Sequence, residues 1–251
     1  MTFLNGSPAS AIQRVLAVVL ACSLAFSAVA APADDEAYTA YLGLVKSGAA
    51  FEEARASKVA PYTIGLKLRT LYTRTSFYKP YSDPGADKIK EASGHRQEKR
   101  FAECLAAAQA AIEVNFTNLQ AHYLASRCSL VAGQPEQSKS YVRNYLMLLA
   151  SIIYEPGRDG RTPETAYKVI SVGEEYFAMS YLKLQPGGQS LVNGPGGISA
   201  DCHIIKEPPP NAPDRVCFDV TVPMGQISKE PDLPPRSVPA PMPPIQSQPA
   251  R

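Results

Sequence analysis

The sequence predicts an α+β protein: mostly helical antiparallel hairpins followed by a small β-containing C-terminal subdomain. Three observations carry that expectation. Apolar residues recur at helical spacing through residues 101–152, the character changes after Gly157-Arg158-Asp159-Gly160, and two runs near the C-terminus, Ile198–Ile205 and Arg215–Val222, alternate as strands do.

Taken in order, Asp34 to Ser47 reads as a helix with acids in its first turn and Gly48 at its end. The next helix is expected to start at Pro61, with Ile64, Leu68, Leu71, Tyr72 and Thr75 along one face, and to run out before the turn Ser82-Asp83-Pro84-Gly85. Phe101, Cys104, Leu105, Ala108 and Ile112 make an apolar stripe on a helix expected over Arg96–Val114. Thr117-Asn118-Leu119-Gln120 is a capping-box pattern that opens another, with Phe116 placed to pack back on it. Ala121, Leu124, Ala125, Cys128 and Val131 stripe that helix, Gly133 ends it, and Pro135 begins a long one through Tyr145, Leu149 and Ile152. Three antiparallel helices joined by short turns account for this stretch.

Beyond it, Ala166–Ile170 reads as a short strand. Ser171-Val172-Gly173-Glu174 is a second capping box, opening a helix over Val172–Leu182. Pro186-Gly187-Gly188 and Asn193-Gly194-Pro195-Gly196-Gly197 read as loops. From Lys229 the chain is proline-rich and is expected to be disordered. The expected division is a leader at 1–30, a helical region at 31–156, an α+β subdomain at 157–226 and a tail at 227–251.

The leader rests on a polar start ending in Arg14, an apolar run Val15–Phe26 and the small-residue site Ala28-Val29-Ala30. This is the pattern of a cleavable export signal, and the run is shorter than the ~20 residues a membrane span needs. A lipoprotein anchored through Cys22 is the alternative. The expected address is periplasmic or secreted, with no membrane span after cleavage. A net charge of +2 and 45% hydrophobic composition leave room for a packed core and demand no nucleic-acid partner.

Four cysteines follow the leader: Cys104, Cys128, Cys202 and Cys217. In an oxidising compartment an even number suggests disulfides, and three pairings exist. Cys104 and Cys128 flank the helix–helix turn near residue 116 symmetrically, and Cys202 and Cys217 flank a proline loop between two strands, so local geometry favours these two pairs. Zinc is disfavoured: C-x-x-C is absent, and His203 follows Cys202 directly, facing the other way on a strand.

Two resemblances add to this. Residues 111–123, with Gly133, Ser126 and Ser138, resemble a tetratricopeptide repeat, although His122 and Pro135 depart from its pattern. Leu68-Arg69-Thr70-Leu71-Tyr72, Tyr78-Lys79-Pro80-Tyr81 and Asn118-Leu119-Gln120-Ala121-His122 continue into Gly157-Arg158-Asp159-Gly160-Arg161-Thr162-Pro163-Glu164-Thr165-Ala166-Tyr167 and Glu174-Glu175-Tyr176. In that order they resemble the bacterial domain of unknown function 4919, over roughly residues 60–225. That resemblance implies an exported bacterial protein of one architecture and carries over no chemistry.

The candidate binding residues are His122, Asp159, Glu174, Glu175 and Tyr176; no catalytic or metal-binding set is expected, and no cofactor. Glu174 and Glu175 could act as acid and base only by facing one pocket, and helix neighbours point ~100° apart. Glu174 is also explained as a cap. His122 sits at a helix-packing position, and His95 is expected at a solvated helix start. Asp159-Gly160 fails as a calcium loop because Gly157 and Ala166 fall where side-chain oxygens are wanted. Phosphate-loop, nucleophile-elbow and H-E-x-x-H patterns are absent. The basic residues of 67–100 are diluted by acids and read as a solvated face, with an anionic partner as the sharper option. The leading expectation is a non-catalytic helical scaffold that binds an envelope protein. An envelope hydrolase or glycan-binding protein, and a structural protein using its proline-rich tail, are the alternatives.

Overall fold

The computed structural model describes residues 32–208, 210 and 212–227. The expected leader, Cys22 and the proline-rich segment from Lys229 lie outside them. Seven helices come first: α1 (Pro32–Ser47), α2 (Ala49–Ala56), α3 (Tyr62–Tyr72), α4 (Ala86–Gln97), α5 (Phe101–Val114), α6 (Leu119–Val131) and α7 (Pro135–Ile153). Then follow β1 (Tyr167–Lys168), α8 (Val172–Tyr181), β2 (Pro186–Asn193), β3 (Ser199–Ile205), β4 (Arg215–Asp219) and α9 (Thr221–Met224). The fold class is α+β.

Two of these helices carry too few large apolar residues to show a stripe in the sequence. Helix α2 buries only Ala50 and Ala54, and α4 only Ile89 and Ala92. The helix expected over Arg96–Val114 is therefore two. Helix α4 ends at Gln97, Lys99 adopts φ 60°, and α5 starts at Phe101. A left-handed residue cannot continue a right-handed helix, so the chain reverses there. His95 consequently lies in the last turn of α4, half-buried, rather than at a solvated start.

Helices α5, α6 and α7 pack as an antiparallel series, and a disulfide between Cys104 and Cys128 bolts α5 to α6 with Cα atoms 6.0 Å apart. The cap of α6 is Asn118, one residue later than expected: its side-chain oxygen accepts from the Ala121 N–H at 2.8 Å. Thr117 instead donates its hydroxyl to Asn115 Oδ1. Helix α3 crosses α7 at Gly65, where an added Cβ would lie 2.5 Å from the Met147 carbonyl oxygen and 3.0 Å from the Ser151 side chain. Only a glycine permits that approach.

The sheet has the order β1-β4-β3-β2, with β1 parallel to β4 and the other pairs antiparallel. Cys202 and Cys217 stand opposite each other on β3 and β4 and form the second disulfide. Strand β2 takes in Pro186-Gly187-Gly188, which the sequence presented as a loop. It is an edge strand with mostly exposed side chains, so no buried alternation marks it. Its register slips between Pro186 and Gly188, where proline and glycine disturb the ladder.

Helix α8 lies between the two halves. Phe177, Ala178 and Met179 belong to one continuous core shared with the helices (Leu148, Ile152, Leu124) and with the sheet (Ile205, Val216, Phe218). The opposite sheet face is covered by the loop before β1, through Ala166 against Ala200, Cys202 and Cys217. There Arg158 donates to the Ala166 carbonyl at 2.5 Å, and the Cys217 N–H donates to Gly160 O at 2.7 Å.

Candidate functional site

The first turn of α8 carries Glu174 and Glu175, and the two carboxylates go to different layers. Neighbouring residues on a helix diverge by about 100°. Because α8 is covered on two sides, that divergence sends Glu174 to the helical body and Glu175 to the sheet.

Glu174 is buried and holds Arg69 of α3 in a two-pronged ion pair, Nε to Oε1 at 2.9 Å and Nη2 to Oε2 at 2.6 Å. Arg69 also donates to Ser151 O and Oγ, each at 3.2 Å, and to Lys168 O at 2.8 Å. Five donors thus meet five acceptor contacts. Glu174 accepts a further bond from the Ile170 N–H at 2.8 Å, and Tyr78 donates its hydroxyl to Ile170 O at 2.6 Å. Burial holds the Tyr78 phenol well above its ordinary pKa. The capping box is half present: Ser171 Oγ accepts from the Glu174 N–H at 3.3 Å, while the glutamate side chain, expected to cap in return, goes to Arg69. The arginine competes successfully because a buried guanidinium without a carboxylate is far costlier than an uncapped N–H.

Glu175 faces β3. Its carboxylate lies 3.3 Å from His203 Nε2, and Asp201, two residues before His203 on the same strand face, completes a group whose potential ligand atoms all lie within 4.8 Å of one another. Glu175 and His203 are 2% and 1% exposed. Asp201 Oδ1 is buried and makes no hydrogen bond. Tyr176 covers this group: its ring centroid is 5.9 Å from that of His203, and its hydroxyl donates to Gln189 of β2 at 3.3 Å. Burial first, then the Glu175 and Asp201 carboxylates, raise the Tyr176 pKa.

Above both glutamates opens a cleft of about 450 Å³. Its walls are the Tyr78–Tyr81 segment, the α5–α6 turn from Asn115 to Gln120, the first turn of α8, Gln189 and Asp201 from the sheet, and the segment after β4 through Ile227. Asp83 ties two of these walls together, accepting from the Gly85 N–H at 2.8 Å and from the amides of Asn115 and Asn118.

The sequence-derived candidates therefore separate. Glu174, Glu175 and Tyr176 line the cleft; His122 and Asp159 do not. His122 is fully buried against Phe116, whose carbonyl accepts from its Nε2 at 2.8 Å, and burial pulls its pKa down to about 4. It is a neutral packing histidine inside the helical body, away from the cleft. Asp159 is exposed and accepts from the Thr165 hydroxyl at 2.6 Å and the Arg161 N–H at 3.1 Å, which lower its pKa and close a turn. Asp201 and His203 were not anticipated as a pair. The signal was present: Cys202 turned into a disulfide on one face obliges residues 201 and 203 to share the other.

A family model for a domain of unknown function, DUF4919, matches residues 62–204, more than half of the chain. The chain belongs to the DUF4919 family. No curated protein and no solved structure matches it at significance. The DUF4919 match begins at the first residue of α3 and ends within β3, so it contains Arg69, both glutamates, Asp201 and His203. It does not confirm the tetratricopeptide-like reading of residues 111–138, which stays a description of antiparallel helices.

Proposed function

We propose that this DUF4919 protein is an exported, non-catalytic binding protein whose helical body is the scaffold and whose cleft receives a short extended segment of an envelope protein. The cleft carries the reading. Its volume falls in the range of ligand sites, about 300–1,000 Å³, and its walls converge from both the helical body and the sheet. Tyr81, Tyr176, Gln120 and Gln189 supply aromatic edges and amides suited to a peptide backbone. Export is supported by the leader-like residues 1–30 and by two disulfides, which fit an oxidising compartment. Among the described residues no helix is long and apolar enough to cross a membrane.

The same tyrosines and amides favour a glycan as the second reading, since sugars stack on aromatic faces and bond to amides. Gly173 allows a direct test. It lines the cleft, and a Cβ there would meet only Ser171 Oγ, at 3.7 Å. Gly173→Leu should fill the cleft and leave the melting temperature unchanged or slightly raised, leucine being the better helix former. The wild type and this variant would be compared on a random-peptide library and a glycan array. Peptides retained by the wild type and lost with Gly173→Leu support the first reading, and glycans behaving so assign the cleft to sugar. Ligands indifferent to the substitution refute both.

A further inference from the structure

We infer that Glu175, Asp201 and His203 form a binding site for one divalent transition-metal ion, zinc foremost, set in the sheet-side wall of the cleft. The donor set is two carboxylates and one imidazole, contributed by α8 and by one face of β3, with all ligand atoms within 4.8 Å of one another. The 3.3 Å between His203 Nε2 and the Glu175 oxygen is long for a charge-assisted hydrogen bond, which closes to about 2.7–2.9 Å. It fits the spacing of two ligands held at about 2.0–2.1 Å by a tetrahedral ion, about 3.3 Å.

The third member brings one oxygen that has no hydrogen-bond partner. Burial makes this a costly state for Asp201 Oδ1 as a carboxylate oxygen and an ordinary one for a metal ligand. Two carboxylates this close repel each other, and a doubly charged cation neutralises both at once. Arg69, which could have served, is already held by Glu174. Three protein ligands leave one position of a tetrahedral zinc open. Glu175 and Asp201 are themselves cleft-lining residues, so an oxygen donor of a bound ligand could fill that position. The site does not require the peptide reading of the cleft.

The test is isothermal titration of the purified, untagged, chelator-stripped chain with zinc, with manganese and calcium as comparators, on wild type, Asp201→Asn and Glu175→Gln. The expected result is saturable 1:1 zinc binding and a rise in melting temperature on zinc addition. Affinity should fall at least 100-fold in Asp201→Asn, whose metal-free melting temperature should equal or exceed that of the wild type because no bond to Oδ1 is lost and one of two repelling charges is removed. Glu175→Gln should show the same loss and serves if Asp201→Asn does not fold. Absence of 1:1 binding by the wild type, or wild-type affinity in a folded variant, overturns the site.

Discussion

Two adjacent residues on one helix turn meet opposite fates. Glu174 and Glu175 are both buried, yet Glu174 enters a set in which every Arg69 donor has an acceptor and Glu175 enters one in which an aspartate oxygen has none. A saturated buried network is a structural tie, since any change leaves a charge exposed to a medium that cannot solvate it. An unsaturated one at a cleft wall has valence to spare for something that arrives later. In this chain the difference makes the sheet side of α8 the place to test for function before the helical side, where the two-pronged ion pair lies.

The contrast breaks first at Arg69. Arg69→Met should cost about 4 kcal/mol, because Glu174 is left charged and buried, and Glu174→Gln should cost a similar amount. Urea unfolding measures both, and a loss under 1 kcal/mol would show that the tie is not one. Removing the Cys104–Cys128 bridge with paired alanines should cost roughly 3.5 kcal/mol from the loop it closes. A much smaller loss would mean that helix packing alone holds that region.

His122 sharpens the comparison from another side, as a buried histidine with no carboxylate beside it. Its folded pKa of about 4 lies below the ordinary 6.5. Between those values the unfolded chain binds a proton that the folded chain refuses. The contribution is therefore complete above pH 6.5 and is lost as pH falls toward 4, by about 3 kcal/mol. His122→Gln keeps a donor for the Phe116 carbonyl and should flatten that part of the stability–pH curve. Equal slopes in the two proteins would place the titration elsewhere. The smallest effect belongs to Asp201→Asn, expected within about 1 kcal/mol of wild type without metal. A loss as large as that of Glu174→Gln would erase the difference between the two sides of α8.

Much of the scaffold was legible in the residues because it is local. Stripes such as Phe101–Ile112 and Ala121–Val131, the αL glycine after Val131, the proline opening α7 and the Ser171 cap are all set by neighbours within a turn or two. The same locality explains both disulfides, each joining elements linked by one short connection. What escaped was written in small or polar residues: α2 and α4 bury little but alanine, and the edge strand β2 hides nothing. Glu174, Glu175 and Tyr176 stood out as a run, but their partners did not.

The sequence by itself thus determined the fold class, the helical hairpins and the strand pair, since hydrophobic period and turn chemistry act over a few residues. Only the tertiary packing decided which glutamate meets Arg69 and which meets His203. Arg69 lies 105 residues from Glu174, and His203 lies 28 from Glu175. Such meetings depend on how α8 is packed between two layers, and no short-range pattern encodes that.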